Sequence, residues 1–151
     1  MNIRRSLPAV LAATGLAVSA TLTVAAPAQA ANGCSGTLVE ARSITNGSGT
    51  KIGEIQLYWD AARGRNCAST VHTGSTWGVS LYTLVEVFVC PTGSPSSCKQ
   101  GADVPSKHGD YVSYYVWEDS VLSSGRCVWA RGWIDTGPTT YIAATTPGHC
   151  G

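Results

Sequence analysis

Apolar and polar residues alternate in short runs along most of this chain, and clusters of Gly, Ser, Thr, Asn and Pro separate the runs. Alternation with a period of two predicts half-buried β-strands, and the helical three-to-four spacing is nearly missing after residue 30. The pattern predicts strands over Thr37–Ile44, Ile52–Asp60, Cys67–Thr73, Ser80–Cys90, Tyr111–Asp119, Arg126–Asp135 and Thr140–Thr145. The first three, joined by "TNGSGT" and "AARGRN", read as a meander. "PTGSPSSCKQGADVPSKHG" reads as a long polar connection, because its three prolines stand where a strand would not accept them. The expected fold class is all-β: a small antiparallel sandwich or barrel of about seven strands, stabilised by disulfides.

Alternation also assigns faces. Leu81, Thr83, Val85, Val87 and Val89 share one side of their strand, as do Val112, Tyr114 and Val116 in the next. Val128, Ala130 and Ile134 do the same, and with Ile55, Leu57 and Val71 they form the expected aliphatic core. The reverse sides carry Tyr58, Tyr82, Phe88, Tyr115, Trp117, Trp129 and Trp133, interleaved with Glu54, Gln56, Glu86, Arg131 and Asp135. The run "SGRCVWARGWIDTG" is the sharpest case, since it sets Arg131 between Trp129 and Trp133 on one side. Two readings follow. Either the aromatic side packs beneath a loop with Arg131 reaching water, or it is a flat platform for a sugar ring or a partner protein. Tyr115, Trp117, Trp129, Arg131 and Trp133 are the expected contact residues on the second reading.

The one long apolar run, Leu7 to Ala26, follows Arg4 and Arg5 and ends in "APAQA". That is the layout of an export signal, with small residues at the cleavage positions. Residues 1–30 are expected to be removed, leaving residues 31–151 as a single secreted β-domain without membrane insertion. Without Arg4 and Arg5, eight Lys and Arg face nine Asp and Glu. A near-neutral chain with no basic run gives no footprint for nucleic acid or an anionic membrane surface.

Export gives the six cysteines their meaning: an even number outside the cytoplasm reads as disulfides. Cys90 and Cys98 bracket "PTGSPSS" and suit a local closed loop. For the others, strand ends favour Cys34–Cys67 with Cys127–Cys150, while Cys67–Cys127 with Cys34–Cys150 would tie the sheets and the termini. Both schemes stay open at this level. No CxxC pair or His-rich spacing suggests a metal, and no cofactor is expected.

Catalytic patterns are weak. There is no GxSxG elbow. His72 reads as outward on a short strand, His108 as part of the polar connection, and His149 as a neighbour of Cys150. A carboxylate pair for glycoside cleavage would come from Glu54, Glu86, Glu118 and Asp119, with Glu54 and Glu86 expected on the aromatic face.

The export signal, "GEIQLYWDAARGRNCAS" and the terminal "HCG" together resemble small exported actinobacterial proteins of the spore-associated protein A type. The residues carrying the resemblance are Gly53, Leu57, Tyr58, Ala61, Gly64, Asn66, Cys67, Cys127 and Cys150. The Cys90–Cys98 pair and its proline-rich loop depart from that pattern. The resemblance implies secretion and association with a cell or spore surface, and transfers no catalytic residue. The expected function is therefore binding or coating, with cell-wall or environmental polysaccharide, or another cell-surface component, as partner and the oligomeric state left open. An extracellular inhibitor presenting the Cys90–Cys98 loop is the alternative, and a small carboxylate hydrolase a third.

Overall fold

The structure, a computed structural model, describes residues 33–100, 107–113 and 116–150, with 107–113 and 116–119 described by backbone and pairing alone. The expected signal segment lies outside the described residues, as do Tyr114 and Tyr115. Nine strands are described: β1 (Thr37–Thr45), β2 (Lys51–Asp60), β3 (Arg65–His72), β4 (Leu81–Val89), β5 (Lys107–Ser113), β6 (Val116–Leu122), β7 (Cys127–Asp135), β8 (Thr140–Ala144) and the two-residue β9 (His149–Cys150). They form two antiparallel sheets packed as a sandwich. The first has the order β1-β2-β3-β6 and the second β5-β4-β7-β8, with β9 also on β7.

The strand expected over Tyr111–Asp119 is two strands in different sheets. β5 pairs with β4 and β6 pairs with β3, so the chain changes sheet between Ser113 and Val116. An unbroken β-prone run hides such a crossing, since alternation says nothing about which partner each half meets. β5 also starts inside the expected polar connection. His108 therefore stands at a strand position, opposite Glu86.

Ile55, Leu57, Ala68, Val85, Val87, Val128 and Ala130 fill the space between the sheets, all fully buried. Ile44, Ile52 and Ile134 extend the core toward one end. Each such side chain is worth roughly 1.5–3 kcal/mol of burial. Two glycines let the sheets approach. A Cβ on Gly132 would lie 2.2 Å from the Thr70 hydroxyl oxygen, and one on Gly53 would lie 2.4 Å from the Ile134 methyl.

β3 is turned over relative to expectation. Val71 shares the side of its cross-strand neighbour Glu54, while Ala68, Thr70 and His72 are buried between the sheets. His72 is thus a core residue. Its Nδ1–H donates to the Thr76 carbonyl at 3.1 Å, and its Nε2 lies 2.7 Å from the Thr83 hydroxyl. Thr70 Oγ1 donates to the Leu84 carbonyl at 2.7 Å, joining the two sheets. Hydropathy misleads here because a buried polar side chain is tolerated wherever the facing sheet offers it a partner. A one-residue change of face then moves the whole strand.

The disulfides are Cys34–Cys67, Cys90–Cys98 and Cys127–Cys150, and no described cysteine is free. Cys127 and Cys150 are direct cross-strand neighbours. Each sheet has a disulfide lying on an aromatic residue of its outer face. Cys34–Cys67 packs with Tyr58 on the first sheet, and Cys90–Cys98 packs with Phe88 and Trp129 on the second.

Candidate functional site

The outer face of the second sheet is built from β4, β7 and β8 in four ladder rows. Tyr82, Asp135 and Thr140 make the first row, then Leu84, Trp133 and Ile142. Glu86, Arg131 and Ala144 make the third, and Phe88 and Trp129 the fourth. Period-two alternation places all of them on one side, as the sequence implied. What differs along the face is its cover.

The fourth row is closed. Phe88 and Trp129 stack face to face, with centroids 3.7 Å apart and planes 3° from parallel, and both are 1% exposed. The loop over residues 91–98 returns across this end, bringing Cys98 onto the pair. Arg126 anchors it by donating from Nε and Nη2 to the Cys90 carbonyl at 2.8 and 2.5 Å. The expectation that Trp129 contacts a ligand is corrected. It is a wall of a satellite core, because Phe88 covers one face of its ring and the disulfide loop closes over the pair.

The third row holds the charge. Arg131 Nε donates to Glu86 Oε2 at 2.6 Å and its Nη2 lies 2.5 Å from the same oxygen. Its guanidinium carbon also sits 5.4 Å from the ring centres of both Phe88 and Trp133. The Glu86 side chain is 6% exposed and the Arg131 side chain 31%. Arg131 therefore forms the boundary between the closed and open halves of the face.

The first two rows are open at Tyr82 and Ile142 but closed at Leu84, which is 1% exposed. Tyr82 is 41% exposed and Ile142 55%, and half-buried Trp133 stands across the ladder from Ile142 and Leu84, one row from Tyr82, with Arg131 on its other flank. The loop leading into β4 carries exposed Trp77 and Val79, and it is bonded to β2 of the other sheet through Thr73 and Thr76 on the Ile52 carbonyl. Of the five expected contact residues, the structure thus keeps Arg131 and Trp133 together on an accessible surface. Trp117 is placed by backbone alone, in β6 of the other sheet and opposite Thr70. It therefore belongs to a different sheet from Trp133, and Tyr115 lies outside the described residues. Tyr82 and Ile142 were missed as contacts.

Glu54 and Glu86 do not come together, and the side chains of Glu118 and Asp119 lie outside the described residues. Glu54 stands on the outer face of the first sheet and Glu86 on that of the second, so the core separates them. Glu54 is bonded to Lys51 and accepts from Gln56 Nε2 at 2.7 Å. Burial pushes its pKa up, but these two neighbours outweigh that and hold it below its usual value.

At the free edge of β1 a second polar group closes the sandwich. Glu40 is bonded to Arg42 and His149, and accepts from the Thr146 backbone N–H at 3.0 Å and from its hydroxyl at 3.1 Å. Burial raises the Glu40 pKa, yet the His149, Arg42 and Thr146 contacts bring it below the ordinary value. This cluster fastens the segment before β9 to β1.

Among the described residues no group of three or more His, Cys, Asp or Glu is gathered as a metal site would need, and no helix is long and apolar enough to cross a membrane. No family model matches the chain, and no curated protein or solved structure does.

Proposed function

We propose that this chain is an exported binding domain that holds a polysaccharide chain on the open half of its second sheet. The reading rests on one observation: Trp133, braced by Arg131 at 5.4 Å, lies across the ladder from exposed Ile142 and one row from exposed Tyr82 on the same strand face. Aromatic rings on a sheet are held by their backbone and lose little freedom when a sugar stacks on them. Arg131 is fixed by Glu86 and adds donors at the rim of the platform. A cell or spore surface is the place where such a domain acts, with three disulfides suited to an oxidising exterior.

The test is co-sedimentation of the oxidised protein with insoluble chitin, cellulose and peptidoglycan at low and high salt. Salt-resistant retention on one polymer, lost in Trp133→Ser and Tyr82→Ser, supports the reading. Retention that is absent on all three, or unaffected by both changes, removes it.

The disulfide loop favours a second reading, an inhibitor of an extracellular enzyme. Residues 91–96 are exposed, yet the loop is braced from within. Ser97 Oγ donates to the Ser94 carbonyl at 2.7 Å, Thr92 N–H donates to Ser97 Oγ at 3.2 Å, and Cys98 N–H donates to the Pro95 carbonyl at 3.1 Å. A loop already ordered costs less to dock in a cleft. Replacing Gly93–Ser96 should then abolish inhibition without touching polymer retention.

A further inference from the structure

A cavity of about 440 Å³ opens at the end of the first sheet, where Ser35, Asp60, Arg63, Arg65, Cys67 and Ser120 meet. Its size lies in the range of small-ligand sites, about 300–1,000 Å³. The two arginines are in different situations. Asp60 accepts from Ser35 Oγ at 2.6 Å, from Arg63 Nη1 at 2.6 Å and from the Arg63 backbone N–H at 3.1 Å. The Arg63 charge is therefore met by a carboxylate.

Arg65 has no such partner among the described residues. Its Nη2 reaches the Ser120 carbonyl at 3.4 Å and the Ser120 hydroxyl at 3.3 Å, both neutral acceptors at the long end of hydrogen bonding. Its Nε–H and both Nη1–H groups make no hydrogen bond there, so each parallel edge of the guanidinium, Nε with Nη2 or Nη1 with Nη2, keeps a free donor beside the weakly held Nη2. With Asp60 and Arg63 cancelling, the described residues of the cavity carry one net positive charge on a half-buried guanidinium. A planar fork of donors in a recess is the geometry that takes a carboxylate in two parallel bonds.

We propose that this cavity is a subsite for an acidic sugar, with the uronate carboxylate on Arg65. The lining selects the rest of the ligand. Apart from the Cys67 sulfur its side chains are all polar, with serine hydroxyls, Asp60 and Arg63 placed to meet sugar hydroxyls. A peptide C-terminus would find no apolar seat for its last side chain. The site lies on the first sheet and is independent of the Trp133 platform on the second.

The experiment is a titration of D-galacturonate into the ¹⁵N-labelled, oxidised protein, read by amide shifts, with D-galactose and N-acetylglycine as comparison ligands. Galacturonate is expected to saturate with a Kd on the order of 1 mM, with shifts centred on Arg63, Arg65 and Ser120. Galactose and N-acetylglycine should each bind at least about tenfold more weakly, since each lacks one half of the recognition. Arg65→Gln should weaken galacturonate by about tenfold or more, and Arg65→Lys, which keeps the charge without the fork, by severalfold. Lys51→Gln, an equal change of net charge outside the cavity, should leave binding as it was. The proposal is overturned by shifts that do not saturate, by either comparison ligand matching galacturonate, or by unchanged binding in both Arg65 variants.

Discussion

Arg131 stands directly across the β7–β4 ladder from Glu86, and the two share a bonded charge pair on the outer face of the second sheet. This explains an arginine between two tryptophans. It neutralises a carboxylate that the closed half of the face has almost removed from water. Losing Arg131 alone should therefore cost more than losing both charges. Arg131→Leu is expected to destabilise by about 2 kcal/mol, discounted from a fully buried pair because Arg131 is partly exposed. Glu86→Leu combined with Arg131→Leu should recover much of that loss, measured by urea unfolding of the two single variants and the double.

Trp129 and Trp133 lie two residues apart on one face and should behave oppositely. Trp129→Ser opens a hole beside Phe88 and is expected to cost about 3–5 kcal/mol. Trp133→Ser should cost about 1.5 kcal/mol or less while abolishing polymer retention. Thermal unfolding and co-sedimentation of the same preparations separate stability from binding.

Gly132 marks the closest approach of the sheets, where an added methyl would meet the Thr70 hydroxyl at 2.2 Å. Gly132→Ala is expected to destabilise by about 1–3 kcal/mol through overpacking. Adding Thr70→Ser would keep the hydroxyl and its bond to the Leu84 carbonyl while removing a methyl. That double variant should not rescue stability, because the hydroxyl oxygen is what the new methyl meets. Chemical denaturation of the two variants checks this.

The Asp60 pKa is pulled from 3.8 to about 2 by the hydrogen bonds from Ser35 and Arg63, which favour the ionised form. Its contribution to stability is thus whole above pH 3.8 and is lost as the pH falls through about 2. Glu40 works in the same direction through His149, Arg42 and Thr146. In Asp60→Asn the decline of stability between pH 3.8 and 2 should be shallower than in the unaltered protein, as followed by acid titration of the far-ultraviolet signal.

Cys90–Cys98 closes a loop of eight residues' separation over Trp129. Replacing both cysteines with Ala should cost about 2–3 kcal/mol on the chain-entropy model. Freeing the loop should also let water reach Trp129, giving a red shift of tryptophan emission under native conditions. Cys127 packs in the same cluster as Trp129, so replacing the Cys127–Cys150 pair with Ala should cost stability and redden the emission as well.

How much could be read in advance depended on the range of the interaction. The first meander, the Ser80–Cys90 strand and the "RCVWARGWID" strand follow from alternation, which is a property of neighbours in the chain. The same rule placed Glu86, Arg131 and Trp133 on one face. It failed at β3, where Thr70 and His72 look like surface residues until the facing sheet supplies the Leu84 carbonyl and the Thr83 hydroxyl. It failed again at Tyr111–Asp119, where two strands of different sheets lie end to end.

By itself, then, the sequence determined the β-strands, two distinct faces on each, and cysteines spaced so that neighbours in the chain could pair. Backbone alternation and turn chemistry suffice for these. Tertiary structure alone decided which outer surface stays open. Phe88 and Trp129 lie under the returning Cys90–Cys98 loop and Tyr82 and Trp133 do not, and water exclusion depends on what arrives from elsewhere in the chain. The same holds for the cavity around Arg65, whose charge was visible from the start. That it faces Ser120 is a consequence of β6 joining the first sheet.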